Sequence, residues 1–421
     1  MLTAGDTLSL TIDRPAAGGR MIARVNGQVV LVSGAIPGER VGARVERVGK
    51  GAAYAAAVEI EEASADRRAA SADPLCGGCL YSHIAYARQL EVKSQVIADA
   101  FKRIGRLQLP APVAVAASPE DGYRMRARFH VRGHRVGFFR EGTHDVCDAR
   151  LTRQLLPATF DALERLAAAL QSAAVDVREI ELAENIDASN RAVSLDSPSP
   201  IESGVLEQLA GGAGGFTGLV SAFGATGSPY VSDTLTLSSG QTVVLRRHVH
   251  AFFQGNRHLL ARLVQHVVDR APADGDVVDL YAGVGLFSIG VAAARGVRVT
   301  AVEGGRHAAA DLAANAAAAG SLIVPVHQSV EQFVENLRPE HGGAVGSVII
   351  DPPRTGVSKE ALDGVLRLAA PQITYVSCDV ATLARDARRI VDAGYIIDRA
   401  DGFDLFPNTP HVETVVAFNR G

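Results

Sequence analysis

The thiol is the most nucleophilic side chain in the sequence, and Cys378 stands where a thiol could attack a substrate. It follows an apolar run at 373–376 and precedes a helical pattern over 381–393. A helix N-terminus favours the thiolate form of a cysteine placed there. A lone buried cysteine is often only a small apolar side chain, but ligands sit at the ends of strands in nucleotide-type sheets. We therefore interpret Cys378 as a nucleophile.

Glu413 lies inside the apolar segment 403–417. Burying a carboxylate costs free energy, so this one is either hydrogen-bonded for structural reasons or used in chemistry. A thiolate and a base together suit methylation of a pyrimidine at C5. The thiolate adds to C6, C5 takes the methyl group, and the base removes the C5 proton before the thiolate leaves. The predicted roles are Cys378 as nucleophile and Glu413 as base.

A glycine turn indicates a nucleotide-like cofactor. In the segment 277–287 an apolar strand leads into Gly283 and Gly285 and then into a helix. Glycines let the backbone approach a ligand, and the helix start offers free N–H groups. Glu303 ends the next strand, where it can accept hydrogen bonds from ribose hydroxyls. The third glycine of the pyrophosphate pattern is missing, so S-adenosylmethionine fits better than NAD. The alternative is a tight turn that binds nothing.

Asp351 follows the apolar strand 345–350 and precedes two prolines and Arg354. The strand delivers Asp351 to the edge where ligands bind, and the prolines stiffen the loop. Asp-Pro-Pro-aromatic is typical of methyltransferases that act on exocyclic amines, but an arginine stands here in place of the aromatic residue. A rigid loop with a helix-capping aspartate is the alternative interpretation.

The segment after Tyr123 alternates between basic and apolar residues, which predicts a strand with one basic face. The basic positions are Arg124, Arg126, Arg128, His130 and Arg132. Arginines contact phosphates, and the nearby Phe138 and Phe139 could stack on unpaired bases. Such a face can be merely solvated, but five basic positions favour RNA. The target base would have to leave its stack to reach Cys378, so a flipped loop nucleotide is expected.

Three regions follow from the patterns. Residues 1–62 alternate short strands with glycine turns, which predicts a small β-barrel. Residues 63–250 form a central α+β region that holds a cysteine motif and the basic strand. Residues 251–421 alternate strands with alanine-rich helices, which predicts a doubly wound α/β domain.

Composition limits the class of protein. The 421 residues carry 42 Lys+Arg and 46 Asp+Glu, a net charge of −4. Residues 86–155 hold 13 Lys+Arg and 7 Asp+Glu, or +6, so the remainder carries −10 and nucleic acid is not excluded. A hydrophobic fraction of 47% excludes disorder as the main state. Apolar runs are too short for a membrane span, the N-terminus lacks a signal pattern, and four cysteines are too few for a disulfide scaffold. We expect a cytoplasmic monomer that does not bind membranes.

Five motifs in sequence order resemble the RNA uracil-C5 methyltransferase family. They are FFQGN at 252–256, DLYAGVG at 279–285, DPPRTG at 351–356, VSCD at 376–379 and FPNTPHVET at 406–414. Residues 18–39, with Gly18, Gly19 and Glu39, resemble a TRAM domain, an OB-like barrel that binds RNA. The resemblance implies that residues 251–421 form a Rossmann-like class I methyltransferase domain.

The same resemblance implies site residues. It places Gln254, Tyr281, Glu303 and Asp351 at S-adenosylmethionine, with Gly283 and Gly285 in the turn. Ser329 stands where the family more often has Asp or Asn. Leu286, Asp379 and Val380 also depart from the usual residues, but Cys378 and Glu413 keep both catalytic roles.

The other three cysteines match part of a metal site. The rRNA-modifying members hold a [4Fe–4S] cluster with four cysteines, and Cys76, Cys79 and Cys147 resemble three of them. Ala70 occupies the fourth position. The alternatives are a cluster with one other ligand, zinc with His83 or His144 as the fourth ligand, and no metal.

The TRAM-like barrel and the cysteine motif resemble the 23S rRNA members more than the tRNA members. We therefore expect methylation of uracil C5 in 23S rRNA, with tRNA as the alternative substrate. Cytosine-C5 methylation is disfavoured because Ser377 precedes Cys378 where those enzymes have Pro or Thr. A non-catalytic RNA-binding or ribosome assembly factor is disfavoured because both Cys378 and Glu413 are present.

Overall fold

The computed structural model describes residues 2–70, 72–133, 135–336 and 345–421. Across these ranges the chain forms four β-sheets and nine α-helices. No helix among them combines the length and the apolar character that crossing a bilayer requires.

The first sheet is the N-terminal barrel. It consists of β1 (Thr7–Thr11), β2 (Arg14–Pro15), β3 (Met21–Val25), β4 (Gln28–Ser33), β5 (Arg40–Val48) and β6 (Ala53–Glu62), in the spatial order β1-β5-β6-β4-β3-β2. These strands agree with the small barrel predicted for residues 1–62. In β5 the buried residues Val41, Ala43 and Val45 alternate with glycine, arginine and glutamate, which is the alternation expected of a half-buried strand.

A connecting region follows the barrel. It contains α1 (Tyr86–Ala100), which continues into a π-helical turn (Phe101–Gly105), and the short strand β7 (Ala114–Ala116). Val92 of α1 packs into the barrel core, whereas Val96, Ile97 and Phe101 pack into the core of the C-terminal sheet. This helix therefore joins the first and last regions of the chain.

The second sheet carries the basic strand. Its strands are β8 (Arg126–Arg132), β9 (Arg135–Gly137), β10 (Glu179–Glu184), β11 (Arg191–Asp196), β12 (Gly218–Ser221) and β13 (Gly224–Gly227), in the order β13-β12-β11-β10-β8-β9, with a 3₁₀ turn (Arg150–Thr152) and the helices α2 (Pro157–Ser172) and α3 (Ser203–Ala213). The predicted alternation is confirmed, since Ala127, Phe129 and Val131 are buried between the basic residues. A separate hairpin, β14 (Tyr230–Thr236) and β15 (Thr242–His248), leads to the C-terminal region.

The C-terminal sheet has eight strands. Its elements in chain order are α4 (Leu260–Val268), β16 (Asp276–Leu280), α5 (Leu286–Arg295), β17 (Val299–Glu303), α6 (Arg306–Ala319), β18 (Ile323–His327), α7 (Val330–Asn336), β19 (Val345–Ile350), α8 (Lys359–Arg367), β20 (Gln372–Ser377), α9 (Val380–Asp392), β21 (Tyr395–Phe403) and β22 (Glu413–Arg420). The strand order is β18-β17-β16-β19-β20-β22-β21-β7. Strands β16 to β20 run parallel, whereas β22 is antiparallel to both of its neighbours.

One edge strand of this sheet comes from outside the predicted range 251–421. The short strand β7 pairs with β21. The helix α1 also packs against this sheet, so two elements from the predicted central region belong to the C-terminal core. The domain boundaries at residues 62, 250 and 251 stay predictions.

Candidate active site

The residues predicted to do chemistry gather at one edge of the C-terminal sheet. Glu303 ends β17, Tyr281 follows β16, Asp351 follows β19 and Cys378 follows β20. These four strands are parallel, so their carboxyl ends meet at the same edge. Glu413 joins them because the antiparallel strand β22 begins where its neighbours end.

Strand register places Cys378 beside Glu413. The last ladder pair between β20 and β22 joins Ser377 to Thr414. One residue further along, Cys378 comes opposite Glu413. Cys378 lies just beyond the end of β20, and the charge of Glu413 acts on its thiol, which indicates that the two side chains are close. The predicted nucleophile and the predicted base are therefore cross-strand neighbours.

The turn that holds Cys378 is fixed by hydrogen bonds. Asp379 caps α9, and its Oδ1 accepts the amides of Ala381 at 3.0 Å and Thr382 at 2.8 Å. The hydroxyl of Ser377 accepts the Asp379 amide at 3.1 Å. The thiol of Cys378 is free and only partly buried, so a substrate can reach it.

Burial of Cys378 opposes the thiolate form that the start of α9 favours. Burial raises the pKa of its thiol to about 12, and the neighbouring charge of Glu413 acts in the same direction. The guanidinium of Arg354 opposes both by its charge and by a hydrogen bond to the thiol. Desolvation outweighs the helix N-terminus here, so Cys378 carries its proton at neutral pH.

Glu413 is also protonated more readily than an ordinary carboxyl. It is 2% exposed, and burial together with the charge of Asp351 raises its pKa, while Arg354 lowers it. Arg354 thus acts on both catalytic candidates. The sequence analysis treated this arginine only as a missing aromatic residue, although its place after Asp351-Pro-Pro on the ligand edge was the available signal.

The predicted cofactor residues form a second group of acids at the same edge. Glu303 accepts the Gly283 amide through Oε2 at 2.8 Å and the Gly305 amide through Oε1 at 2.6 Å. The side-chain amide of Gln254 lies 3.5 Å from Oδ2 of Asp351. Burial raises the pKa of Asp351 and, to about 7, that of Asp279. Asp279 was missed because it lies inside β16, where it read as part of a buried strand.

The two glycines of the turn have different roles. Gly283 has a φ of +57°, and a Cβ added there would meet nothing within 4 Å, so the turn is open on this side. A Cβ on Gly285 would instead lie 2.9 Å from the Leu312 side chain. Gly283 leaves room for a ligand, whereas Gly285 allows α5 to pack against α6.

Tyr281 and Ser329 lie on either side of this turn. Tyr281 has a left-handed backbone with φ 61°, and burial raises the pKa of its hydroxyl. The Ser329 hydroxyl accepts the Gln332 amide at 3.3 Å in the first turn of α7. Neither contact assigns a cofactor role to these residues, which stays a prediction.

The loop before Glu413 is held by residues that the sequence analysis did not single out. Asn408 exchanges hydrogen bonds of 2.9 Å with Gln89 of α1, and its side-chain oxygen also accepts Arg68 at 2.8 Å. Lys93 forms a fully buried ion pair with Asp404 at 2.5 Å. The position of Glu413 therefore depends on α1.

Glutamates of the neighbouring strand β10 pair with part of the basic strand β8. Arg126 pairs with Glu181, and its guanidinium lies 5.4 Å from the Phe252 ring. Arg128 is exposed, 3.7 Å from Glu179, and Arg132 is exposed near Phe139.

Arg124 lies outside β8 and is held by a neighbouring side chain. It precedes β8, its guanidinium donates to Gln154 at 2.8 Å, and its neighbouring charges include Arg354 of the active site.

The three other cysteines are close together, as the metal prediction requires. A disulfide joins Cys76 to Cys147, and Cys79 is buried against them. Ala70 is exposed, and His83 contacts the Ala35 carbonyl at 3.3 Å. His144 lines the same cavity as Cys147.

Comparison with known proteins identifies the family of this chain. The family model for tRNA (uracil-5-)-methyltransferases matches residues 225–421, and that for TRAM domains matches residues 2–58. The 23S rRNA (uracil(1939)-C(5))-methyltransferase RlmD of Halomonas elongata is 34% identical, over 97% of this chain and 88% of that protein. An RNA methyltransferase of Thermotoga maritima is 30% identical, over 97% of this chain and 98% of its own length.

The fold has a counterpart among solved structures. The Pyrococcus abyssi tRNA (uracil-54, C5)-methyltransferase in complex with S-adenosyl-L-homocysteine superposes with a TM-score of 0.77 at 23% identity, covering 97% of this chain and 99% of that one. The predicted fold class, an N-terminal barrel with a central α+β region and a Rossmann-like methyltransferase domain, is confirmed. The chain belongs to the S-adenosylmethionine-dependent RNA uracil-C5 methyltransferase family.

Proposed function

We propose that this protein methylates C5 of a uridine in 23S rRNA, with Cys378 as the nucleophile and Glu413 as the base. The observation that carries the proposal is the cross-strand placement of these two residues at the edge that also holds Asp351 and Glu303. The names of the relatives from Halomonas elongata and Methylococcus capsulatus support 23S rRNA as the substrate.

The residues at the sheet edge fit S-adenosylmethionine. Gly283 leaves an open space, Glu303 ends β17 beside it, and one carboxylate oxygen of the buried Asp279 has no hydrogen-bond partner among the described residues. A sulfonium cation stabilises nearby carboxylates in their charged form. When bound, the cofactor supplies an electrophilic methyl group.

The side chains of this protein then have defined tasks. The Cys378 thiol gives its proton to water, and the resulting thiolate bonds to C6 of the uracil, which breaks the C5–C6 π bond and places its electron pair on C5. C5 takes the methyl group, Glu413 accepts the C5 proton, and the sulfur–C6 bond breaks to restore the ring. Arg354 stabilises the thiolate both before it adds to C6 and after it is released, since the charge and hydrogen bond of Arg354 lower the pKa of the thiol.

A 5-fluorouridine substrate tests the covalent mechanism. Fluorine at C5 leaves no proton for Glu413 to remove, so RNA, S-adenosylmethionine and protein should form an adduct that survives denaturation. Cys378→Ala should form none, while Cys79→Ala, which removes the other free cysteine, should behave like the wild type. An adduct with Cys378→Ala would assign the nucleophile to another residue and contradict the mechanism. Absence of an adduct with the wild type would contradict it too and favour a non-catalytic RNA-binding role.

The choice of RNA needs a separate measurement. We expect loss of one 5-methyluridine from 23S rRNA in a strain that lacks the gene, with tRNA unchanged. Loss from tRNA with rRNA intact would transfer the proposal to the alternative substrate. For RNA contacts we propose Arg124, Arg126, Arg128 and Arg132, of which Arg128 and Arg132 are the exposed pair. A cytoplasmic location and a monomeric state stay predictions.

The cysteine residues do not complete a [4Fe–4S] site. A four-iron cluster bound by protein alone uses four thiolates. Here Cys76 and Cys147 are joined to each other, and Ala70 offers no ligand. No step of the reaction is assigned to a cluster. Anaerobically purified protein should be colourless and free of iron, and a brown iron-containing protein would reverse this conclusion.

A further inference from the structure

Three histidines form a triangle outside the active site. His248 ends β15, His250 follows two residues later, and His307 lies in the first turn of α6. Their ring centroids are 4.6, 5.0 and 5.2 Å apart, and one nitrogen from each ring lies within 4.8 Å of the other two. His248 is the most buried of the three, and the other two are exposed.

These separations match those of imidazoles around a shared tetrahedral ion. With Zn–N bonds of about 2.0–2.1 Å, the ring centres of two ligands on one tetrahedral zinc lie about 5 Å apart. The observed triangle is nearly equilateral and has this size. The rings of His248 and His307 are stacked, with only 11° between their planes. An imidazole binds a metal in its ring plane, so the exposed side chains of His250 and His307 have to rotate before all three nitrogens, now within 4.8 Å of one another, face one ion.

The surroundings already orient the two hairpin histidines. Nε2 of His250 lies 2.7 Å from the Ser194 hydroxyl, so it can donate its N–H outward and leave Nδ1 for an ion. Nδ1 of His248 accepts the His250 amide at 3.2 Å, and an ion at that atom would replace this long hydrogen bond. The His248 amide donates to Asp311 of α6 at 2.6 Å, which fixes the hairpin against the helix that carries His307.

We propose that His248, His250 and His307 bind one first-row transition-metal ion of the Zn²⁺ type, with water in the fourth position. Three neutral imidazoles without a carboxylate in the ligand set suit zinc, cobalt, nickel or copper rather than magnesium or calcium. The ion would connect the β14–β15 hairpin to α6, which starts three residues after Glu303. Its role is structural, since none of the three histidines belongs to the catalytic group described above.

Cobalt and zinc binding test this site in the full-length, tag-free protein after chelator treatment. Titration with Co²⁺ should give one equivalent with visible d–d bands and no thiolate charge-transfer band. His307→Ala and His250→Ala should each lose that equivalent. His258→Ala, an exposed histidine outside the triangle, should keep it. Zn²⁺ should raise the melting temperature of the wild type and of His258→Ala, but not of the two triangle variants.

The outcomes separate this site from the cysteines. A thiolate charge-transfer band would place the cobalt ion at Cys79 and its neighbours. Cobalt retained in both triangle variants would place the ion outside the triangle. Either result would overturn the proposal. Absence of binding in the wild type would do the same. Circular dichroism that matches the wild type shows that His307→Ala is folded, and His307→Gln provides a second variant with a side chain closer in size.

Discussion

Partial burial holds Cys378 as a thiol, so its reactivity should rise with pH. Burial raises its pKa to about 12, and the thiolate fraction then grows about tenfold per pH unit below that value. Alkylation by iodoacetamide, followed by mass spectrometry of the peptide that contains Cys378, should accelerate from pH 7 to 10 without a plateau. A plateau near neutral pH would show instead a thiolate stabilised by the helix N-terminus.

Arg354 should accelerate the same alkylation. Its charge and hydrogen bond lower the pKa of the thiol, so Arg354→Gln should react more slowly at every pH. Arg385→Gln, which removes an arginine of α9 bound to Asp386, is the matched control and should react like the wild type. Equal rates for Arg354→Gln and the control would contradict a direct effect of Arg354 on Cys378.

Glu413 should be needed after methyl transfer rather than before it. Glu413→Gln keeps the size and hydrogen-bonding capacity of the side chain but cannot accept the C5 proton. A general base contributes about 10²–10⁴-fold, so turnover should fall by this factor. The methylated RNA should remain attached to Cys378 and appear on a denaturing gel without fluorouridine. Loss of turnover without an adduct would indicate that Glu413 acts earlier or only in folding.

The sequence singled out Cys378 and Glu413 as catalytic candidates because each broke a local pattern, a thiol at a strand end and a carboxylate in an apolar strand. It could not predict their protonation states. The pKa of Cys378 depends on burial and on the charges of Arg354 and Glu413. These three residues lie in three separate segments of the chain. The sequence analysis also missed Asp279 as a site residue, because only the folded sheet brings its carboxyl near those of Asp351 and Glu303.

At the scale of elements, α1 is the support for the loop that leads to Glu413. Its Lys93 is 1% exposed and its partner Asp404 is fully buried. Residues about three hundred positions apart form this contact, and no local pattern in either segment predicts it. The three-residue strand β7 was missed on related grounds, because its pairing with β21 rather than a local pattern determines it.

Lys93→Met should destabilise the protein strongly. It leaves the Asp404 carboxylate buried without its cation, which costs about 3–5 kcal/mol. The double variant Lys93→Met/Asp404→Leu removes both charges and should recover much of this loss. Arg388→Met, which breaks an exposed pair with Asp392, should leave stability unchanged. Urea unfolding followed by circular dichroism measures all three, and a double variant no more stable than Lys93→Met would show that packing, not charge, controls this contact.

At the scale of the whole molecule, the net charge of −4 is the sum of a basic segment and an acidic remainder. Residues 86–155 carry +6, but much of the basic strand is neutralised by Glu179 and Glu181 of β10. Composition and alternation predicted the strand and its charged face. They could not show the acidic neighbours, since β10 lies about fifty residues further along the chain and only the pairing of β8 with β10 brings them together.

Because β8 pairs with the acidic strand β10, the predicted RNA contacts on β8 are expected mainly at the exposed Arg128 and Arg132. Each phosphate neutralised by a side chain releases counterions, so the salt dependence of binding counts such contacts. Arg128→Gln/Arg132→Gln should weaken binding of an rRNA fragment and lower the slope of log K against log salt by about two for single-stranded or duplex RNA contacts. S-adenosylmethionine affinity should not change, because neither residue lies at the sheet edge. Arg103→Gln/Arg367→Gln is the control, removing the same charge from exposed positions outside both β8 and the N-terminal barrel. An equal slope for both double variants would mean that RNA follows the general field of the protein, while a smaller slope for the first alone would locate the RNA on β8.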